Sequence, residues 1–468
     1  MVNRASKLFL FVDEHCKDTT KNIPKQENTG FYYRKSQYMS KAYPTYKDSG
    51  IEWLGQIPTH WEMLKAKYMF QKNKREVQDG DKVITCFRDG QVTLRENRRT
   101  TGFTESITEI GYQGIRKGDL VIHQMDAFAG AIGVSDADGK GTSVYHCCTP
   151  KGEYLTYYYA HVIREMALKG YIQSLYRGIR ERSSDFNYVT FGNCLLPVPS
   201  PSEQRQIVAY LDYKSNKINE RICQRERELQ TLSELKQAEI AAVVTRGLDP
   251  NVPMKESGIE WLGKIPAHWE IKYFSQIAEE HYISNKNVHH QNLLSLSYGR
   301  IVRKDINTTE GLLPASFDTY QVIEKDNIIL RLTDLQNDHK SLRIGLVTEK
   351  GIITSAYICI QSRRAILPEY LYLLLHSYDI CKVFYGMGGG LRQSLSYADI
   401  KRIPIIIPAI SEQIEIIKHI NAKTKNIDIY MESLKKEIEL LQEYKQRLIS
   451  DVVTGKVDVR GVEIPNEE

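Results

Sequence analysis

Arginine, glutamine and asparagine side chains are concentrated in a few short segments of the first half of the chain. In duplex DNA, such side chains hold phosphates and read base edges in the major groove. Residues 87–103, FRDGQVTLRENRRTTGF, place arginines on both sides of a Gly turn and predict a basic hairpin that could enter a groove. An ordinary solvated surface loop has the same composition, so both interpretations stay open. The candidates in this half are Arg88, Arg95, Arg98, Arg99, Gln124, Arg177, Arg180 and Arg182.

The second half has comparable segments with different residues. They are LSYGRIVRKDINTTEG at 296–311 and RLTDLQNDHKSLR at 331–343. The sequence around them matches the first half, whereas these segments do not, which suggests that the two halves read different things. The candidates here are Tyr298, Arg300, Arg303, Lys304, Arg331, Gln336, Asn337, Lys340, Arg343 and Arg392.

Motifs for catalysis and metal binding are weak or absent in the sequence. There is no Asp/Asn-Pro-Pro-aromatic element for methyl transfer to adenine and no GxxxxGK[ST] loop for a nucleoside triphosphate. The glycine-rich residues 386–392, GMGGGLR, could cradle a phosphate, but we favour a turn or a DNA-backbone contact. The cluster His146-Cys147-Cys148 is a poor chelate because adjacent residues of a strand point to opposite faces. We therefore expect no catalytic site, metal or cofactor in this chain.

The elements that position the candidate residues occur twice. SGIEWLGQIPTHWE at 49–62 returns as SGIEWLGKIPAHWE at 257–270, and SEQRQI at 202–207 returns as SEQIEI at 411–416. A period this long indicates tandem duplication of a whole domain and its appendage. The tryptophans of the repeated phrase could stack on bases, but we interpret the phrase as a packing clasp that mounts each domain on its neighbouring helix.

Each half ends in a long helical pattern. Apolar residues recur at spacings of three and four after Ser202, and again along a stripe that includes Ile414, Ile417 and Ile420. A narrow stripe on a helix of this length requires a partner helix. We expect the two helices to pack antiparallel with a domain at each end; the alternative is that each helix packs only on its own domain.

These phrases resemble the specificity subunit of type I DNA restriction-modification systems, from Tyr43 to the C-terminus. The resemblance implies two tandem α/β (α+β) target-recognition domains, each followed by a long helix, with the helices forming an antiparallel coiled coil. It implies the following boundaries: an N-terminal extension at 1–42, whose origin stays open, domains at 43–201 and 255–410, helices with linker at 202–254 and 411–457, and a tail at 458–468.

The same resemblance implies the function. The chain would be a non-catalytic subunit that recognises a bipartite, asymmetric double-stranded DNA target. Two methyltransferase subunits and two restriction subunits would assemble on it, and S-adenosylmethionine, ATP and magnesium would belong to those partners. Two alternatives are a self-contained endonuclease and a coiled-coil protein scaffold without a role on DNA.

Composition agrees with such a subunit without requiring it. The 468 residues carry a net charge of +5 and are 41% hydrophobic, which is ordinary for a globular chain of two or three domains. A basic balance permits nucleic-acid binding. Because no apolar run in the sequence approaches the length of a bilayer span, we expect a cytoplasmic protein.

Overall fold

The computed structural model describes residues 42–98, 111–175, 186–287, 290–306, 316–336, 338, 342–387 and 394–465. These residues fall into two compact units, one made of residues 42–225 and 436–465 and the other of residues 226–435. Each unit contains one α/β domain and a segment of both long helices. No helix within the described ranges has an apolar stretch long enough to cross a lipid bilayer.

The first domain consists of short strands with helices packed against them. Its strands are β1 (Tyr46–Asp48), β2 (Gln56–Pro58), β3 (Glu62–Lys65), β4 (Phe70–Asn73), β5 (Ile84–Cys86), β6 (Val92–Leu94), β7 (Gln113–Ile115), β8 (Leu120–His123), β9 (Ile132–Val134), β10 (Gly139–Gly141), β11 (Tyr145–Pro150) and β12 (Leu195–Val198). Its α-helices are α1 (Ala66–Met69), α2 (Thr156–Leu168), α3 (Tyr171–Ser174) and α4 (Tyr188–Asn193), and short 3-10 turns occur at Arg95–Asn97 and Ala127–Ala129.

The second domain follows the long helix α5 (Pro201–Arg246) and repeats this pattern. Its strands are β13 (Met254–Glu256), β14 (Lys264–Pro266), β15 (Glu270–Tyr273), β16 (Ala278–Glu280), β17 (Leu294–Ser297), β18 (Arg300–Arg303), β19 (Gln321–Ile323), β20 (Ile328–Leu330), β21 (Ile344–Leu346), β22 (Gly351–Ile353), β23 (Ile358–Ser362) and β24 (Pro404–Ile407). Its helices are α6 (Phe274–Ile277), α7 (Pro368–Ile380) and α8 (Tyr397–Ile400), with 3-10 turns at Asn285–Asn287 and Val383–Gly386, and the long helix α9 (Ile410–Val453) comes last.

A four-stranded antiparallel sheet forms the centre of each domain. The strand order is β4-β11-β8-β9 in the first and β16-β23-β20-β21 in the second. In β8, Leu120 and Ile122 join the core under helix α2, whereas Val121 joins a separate core with the hairpin β5–β6. Successive side chains of a strand point to opposite faces, so a sheet covered on both faces reads as a continuous apolar run. The helix therefore lies on one face and the hairpin on the other.

The second sheet is covered in the same way. Ile328 and Leu330 of β20 pack in the core with α7, and Ile329 between them packs with the hairpin β17–β18. The remaining strands form two-stranded antiparallel pairs: β1 with β2, β3 with β12, β7 with β10, β13 with β14, β15 with β24, and β19 with β22.

The two long helices run antiparallel inside each unit. In the first unit, Arg221 Nε lies 3.2 Å from Glu437 Oε1, and Lys445 donates to Asn219 at 2.8 Å. In the second unit, Lys236 pairs with Asp428 at 2.6 Å. Residue numbers rise on one helix as they fall on the other, so the prediction of an antiparallel coiled coil is confirmed.

The starts of the long helices differ slightly from the prediction. Helix α5 begins at Pro201, and the Glu203 N–H donates to Ser200 Oγ at 3.3 Å, so Ser200 rather than Ser202 caps it. Proline is favoured at the first helical position because its missing N–H has no partner there. On α9, Ile414 is 39% exposed, and the buried face runs through Gln413, Ile416 and Ile417 instead.

Candidate nucleic-acid interface

In the first unit, the repeated tryptophan phrase holds the domain against the start of α5. The buried carboxylate of Glu203 accepts hydrogen bonds from Tyr43 Oη at 2.6 Å and from Trp61 Nε1 at 3.1 Å, and it lies 3.0 Å from His60 Nε2. Gly455, just after α9, has φ of +77°, and a Cβ there would overlap Pro58 and Trp61. The phrase therefore contacts one end of each long helix.

The tryptophan phrase of the second unit uses the equivalent positions but makes fewer hydrogen bonds to its glutamate. Glu412 lies 2.9 Å from His268 Nε2 and is partly exposed, whereas Trp269 Nε1 is buried without a hydrogen-bond partner among the described residues. Gly247, with φ of +79°, lies against the ring of Trp269.

The glutamine of each SEQ motif has a role that the sequence did not reveal. Gln204 Oε1 accepts from the Leu155 N–H at 2.8 Å, and Gln413 Oε1 accepts from the Leu367 N–H at the same distance. Each leucine immediately precedes the helix that covers the central sheet. The motif therefore connects the long helix to the domain, and its recurrence in both halves was the available signal.

The clasp interpretation of the tryptophans agrees with their burial. Trp61 is 0% and Trp269 is 1% exposed, so neither ring is available to stack on a base. In each domain, the tryptophan phrase and the long helices therefore pack on the side of the sheet that the helix covers. The opposite side, which carries the hairpin, is the candidate surface for a ligand.

Each hairpin is seated on two glycines of its domain. A Cβ at Gly133 or Gly139 would overlap atoms of the β5–β6 hairpin or the residues beside it, and a Cβ at Gly345 or Gly351 would do the same at β17–β18. The two pairs are 212 residues apart, like the surrounding framework. The hairpins therefore occupy equivalent seats in the two domains.

The tip of the second hairpin is a two-residue turn. Ser297 pairs with Arg300, and the central residues Tyr298 and Gly299 both have positive φ, +46° and +77°. This is the backbone of a type I′ turn, whose twist matches that of the strands it joins. Tyr372 Oη, on α7, donates to the Gly299 carbonyl at 3.4 Å and ties the tip to the domain.

The cations of this hairpin are exposed, and only one is fixed. Arg303 Nε lies 2.7 and 2.9 Å from the two carboxylate oxygens of Glu349, and this hydrogen bonding lowers the pKa of Glu349 and raises the pKa of Arg303. Among the described residues, no carboxylate lies within ion-pair distance of Arg300 or Lys304. Free guanidinium and ammonium groups on a projecting ribbon are suited to bind phosphates or base edges.

The first hairpin ends in the three-residue tip Arg88-Asp89-Gly90. The Phe87 N–H donates to the Gln91 carbonyl at 2.9 Å, and Gly90 has φ of +92°. Arg88 Nη2 lies 3.0 Å from Asp126 Oδ1, with 66% of the arginine side chain exposed. This tip carries one arginine and one aspartate, and it differs from the second tip in length and residues.

Comparison with known proteins agrees with this arrangement. The family model of the type I restriction modification DNA specificity domain matches residues 318–440. A putative type I restriction enzyme MjaX specificity subunit from Methanocaldococcus jannaschii is 22% identical over 87% of this chain and 96% of its own length. The chain is therefore similar in sequence to type I restriction-modification specificity subunits over most of its length, and residues 318–440 match the model of their specificity domain.

The fold points the same way. A chain in a solved structure of a type I R-M system, studied for complex assembly and conformational transition, superposes with a TM-score of 0.59 at 12% identity, covering 85% of this chain and 98% of that one. At this level of identity, the superposition shows that the two chains share a fold.

Several predicted DNA contacts lie around the hairpins in less exposed positions. Arg98 pairs with Asp89 at 2.6 Å and lies over the Phe87 ring, 4.2 Å from its centroid. Arg95 Nε donates to Thr85 Oγ1 at 3.5 Å. Gln124 is half-buried beside the first sheet. Arg95 and Arg98 thus support the hairpin, and whether these two residues or Gln124 touch DNA stays a prediction.

In the second domain, two further candidates lie in the loop between β20 and β21. Gln336 is exposed, and Arg331 is half-buried with its Nη2 3.7 Å from Asp338 Oδ2. Both stay predictions.

The prediction that Arg343 contacts DNA is wrong for this structure. Its side chain is 0% exposed, and its guanidinium donates to the carbonyls of Arg331 and Thr333 at 3.1 and 2.7 Å and to Tyr385 Oη at 2.9 Å. The Arg343 N–H also donates to Asp379 at 2.7 Å. A guanidinium whose donors are already used inside the domain holds the β20–β21 loop instead of binding a phosphate.

The equivalent residue of the first domain was missed by sequence reasoning. Arg164, on α2, donates to the Arg88 carbonyl at 3.2 Å and to the Gly130 carbonyl. It therefore holds both the tip of the first hairpin and the β8–β9 loop. Nothing in the spacing of Arg164 along α2 distinguished it from a solvated helix residue.

Seven predicted DNA contacts lie outside the described residues: Arg99, Arg177, Arg180, Arg182, Asn337, Lys340 and Arg392.

Of the weak metal cluster, Cys147 and Cys148 are buried on β11, and His146 Nε2 lies 3.0 Å from the Phe186 carbonyl. Within the described ranges, no three His, Cys, Asp or Glu side chains are arranged to hold a metal ion.

Proposed function

We propose that this chain is a non-catalytic specificity subunit that reads a bipartite DNA target, with one half-site recognised by each domain. The supporting observation is the pair of hairpins on equivalent glycine seats with unlike tips, Arg88-Asp89-Gly90 in one domain and Tyr298-Gly299 in the other. Because the two domains share a framework, each would present its hairpin to a DNA groove in the same orientation. Different tips give them different sequences to read, so the target is asymmetric.

We expect the long helices to set the spacer between the half-sites. Helix α5 has 46 residues and α9 has 44, so each is roughly 65–70 Å long at 1.5 Å per residue. Half-sites read from one face of the duplex lie about one helical turn, roughly 34 Å, apart or a multiple of it. In this proposal, the bases between them are not read, and helix length sets their number.

The partners are assigned on the same basis. Two methyltransferase subunits and two restriction subunits assemble on this chain, the former through the paired helices. S-adenosylmethionine, ATP and magnesium then act in those partners, in the cytoplasm, and this chain contributes the recognition of the DNA sequence. Exposed apolar residues on the helices, Leu235, Ile429 and Leu440, are consistent with a surface that other subunits cover.

Long-read sequencing for N6-methyladenine tests the proposal. Cells carrying the cognate methyltransferase subunit are compared with and without this gene. We expect a motif of two unlike short half-sites that appears only with the gene. If both proteins are soluble and associate but no motif depends on the gene, the proposal fails.

A further inference from the structure

Tyr298 occupies a backbone conformation that its side chain disfavours. Its φ is +46°, and its side chain is 80% exposed at the tip of the β17–β18 hairpin. Asparagine, aspartate and glycine are the usual residues at this position of a type I′ turn, and a bulky residue with positive φ is an outlier. Its ring makes no hydrogen bond or aromatic contact in the described part of the chain. Folding therefore does not explain the tyrosine, and strained positions of this kind gather at functional sites.

One face of the same hairpin carries exposed side chains in the described part of the chain. Cross-strand pairs share a face, so Leu296 with Ile301 lie toward the core, while Ser297 with Arg300 and Ser295 with Val302 lie on the outer face. Arg300 and Val302 are exposed there. The outer face thus presents hydroxyls, a guanidinium and methyl groups beside the tyrosine ring, and these are the groups that read base edges and thymine methyls.

The ribbon is held in place from three sides. Tyr372 donates to the Gly299 carbonyl, Arg303 is bound to Glu349, and the core face packs on Gly345. Because these bonds lie within the domain, the tip is preorganised before a ligand binds. A two-stranded ribbon of this kind fits the major groove, which is about 12 Å wide.

We propose that the β17–β18 ribbon enters the major groove of one half-site and that Tyr298 and Arg300 determine the bases read there. Arg300 binds O6 and N7 of a guanine, and the Tyr298 ring packs on the neighbouring base. Arg303, already bound to Glu349, positions the ribbon. This inference rests on the proposed function and assigns the reading residues of its second domain.

The test uses the full chain assembled with its methyltransferase subunits. Three variants are compared: Arg300→Gln, Tyr298→Asn and the control Arg363→Gln, which removes an exposed arginine paired with Glu279 in the same unit. Asparagine accepts positive φ, so Tyr298→Asn keeps the turn. Thermal unfolding checks that each variant is folded. Methylome sequencing gives the motif, and titration with duplexes gives the affinity.

We expect Arg300→Gln to weaken binding about 10- to 100-fold and to relax one guanine of one half-site. Tyr298→Asn weakens binding about 10-fold at the adjacent position, and the other half-site keeps its bases in both variants. Arg363→Gln matches the unchanged chain.

Three results would overturn the inference. If the unchanged chain gives a bipartite motif and both variants give the same motif and affinity as Arg363→Gln, the ribbon does not read DNA. If the variants lose the methyltransferase subunits while the variant chains bind duplex as before, the face is a protein interface. If the unchanged chain gives no gene-dependent motif, the proposed function fails and the inference fails with it.

Discussion

Replacing Glu203 by alanine should destabilise the first clasp far more than the same change at Glu412 destabilises the second. Glu203 Oε1 accepts from two buried donors, Tyr43 Oη and Trp61 Nε1, which would then lack an acceptor. Each buried donor left unsatisfied costs about 1–3 kcal/mol, so we expect a loss of about 4 kcal/mol. Among the described residues, the side-chain partner of the Glu412 carboxylate is His268, whose side chain is 52% exposed, and the loss of Glu412 should cost about 1 kcal/mol or less.

Hydrogen exchange of the full chain measures this difference. Peptides covering 43–62 and 257–270 report the two clasps separately. Glu203→Gln is the matched control, because its remaining carbonyl oxygen can accept from Tyr43 and Trp61 while the charge is removed. We expect Glu203→Gln to cost clearly less than Glu203→Ala. Equal losses for both Glu203 variants, or for Glu203→Ala and Glu412→Ala, would refute the argument that these two hydrogen bonds hold the clasp.

Three further changes probe the framework by urea unfolding of the full chain. Gly455→Ala should cost more than Gly118→Ala, because both glycines have positive φ but only a Cβ at Gly455 meets other atoms; equal costs would contradict this. Arg343→Met should cost several kcal/mol by leaving buried carbonyls without donors, and a cost below about 1 kcal/mol would contradict its structural role. Burial lowers the pKa of His376 to about 4 from 6.5, so the unfolded chain binds its proton first and stability falls as pH drops from 6.5 toward 4. His376→Leu should remove about 3 kcal/mol of that fall, and an unchanged pH profile would count against it.

Repetition made the architecture readable from the sequence. The SEQ motifs and tryptophan phrases recur at nearly constant offset, and each proved to be a contact between domain and helix. Part of the basic hairpin predicted at residues 87–103 is present as the pair β5–β6, whose strands lie at Ile84–Cys86 and Val92–Leu94. Gly90 supplies the turn between these two short segments, which contain β-branched residues. Local sequence patterns were sufficient to predict these features, because each depends on neighbouring residues or on a phrase that occurs in both halves of the chain.

The candidate site was harder to predict because exposure depends on packing between distant segments. A run such as 331–343 looks like a basic surface loop, and only the fold shows that Arg343 points inward while Arg331 stays half-buried. Conversely, the importance of Tyr298 lies in its φ angle and its exposure, neither of which composition reveals. Charge counting therefore selected segments in and around the hairpins, but it could not separate exposed side chains from those that support the fold.

The two copies solve one packing problem with different residues, which explains the error at Arg343. In each domain, a guanidinium bonds the carbonyls of the loop that joins the two central-sheet strands after the hairpin. In the first domain, Arg164 on α2 donates to the Gly130 carbonyl. In the second domain, Arg343, just before β21, donates to the carbonyls of Arg331 and Thr333. At the offset of 212, alanine stands opposite Arg343, and His376 stands opposite Arg164. Because the cation lies on a helix in one domain and in the loop before β21 in the other, a difference between copies does not by itself mark a DNA contact. We propose recognition only where the fold also exposes such a difference, as at the two hairpin tips.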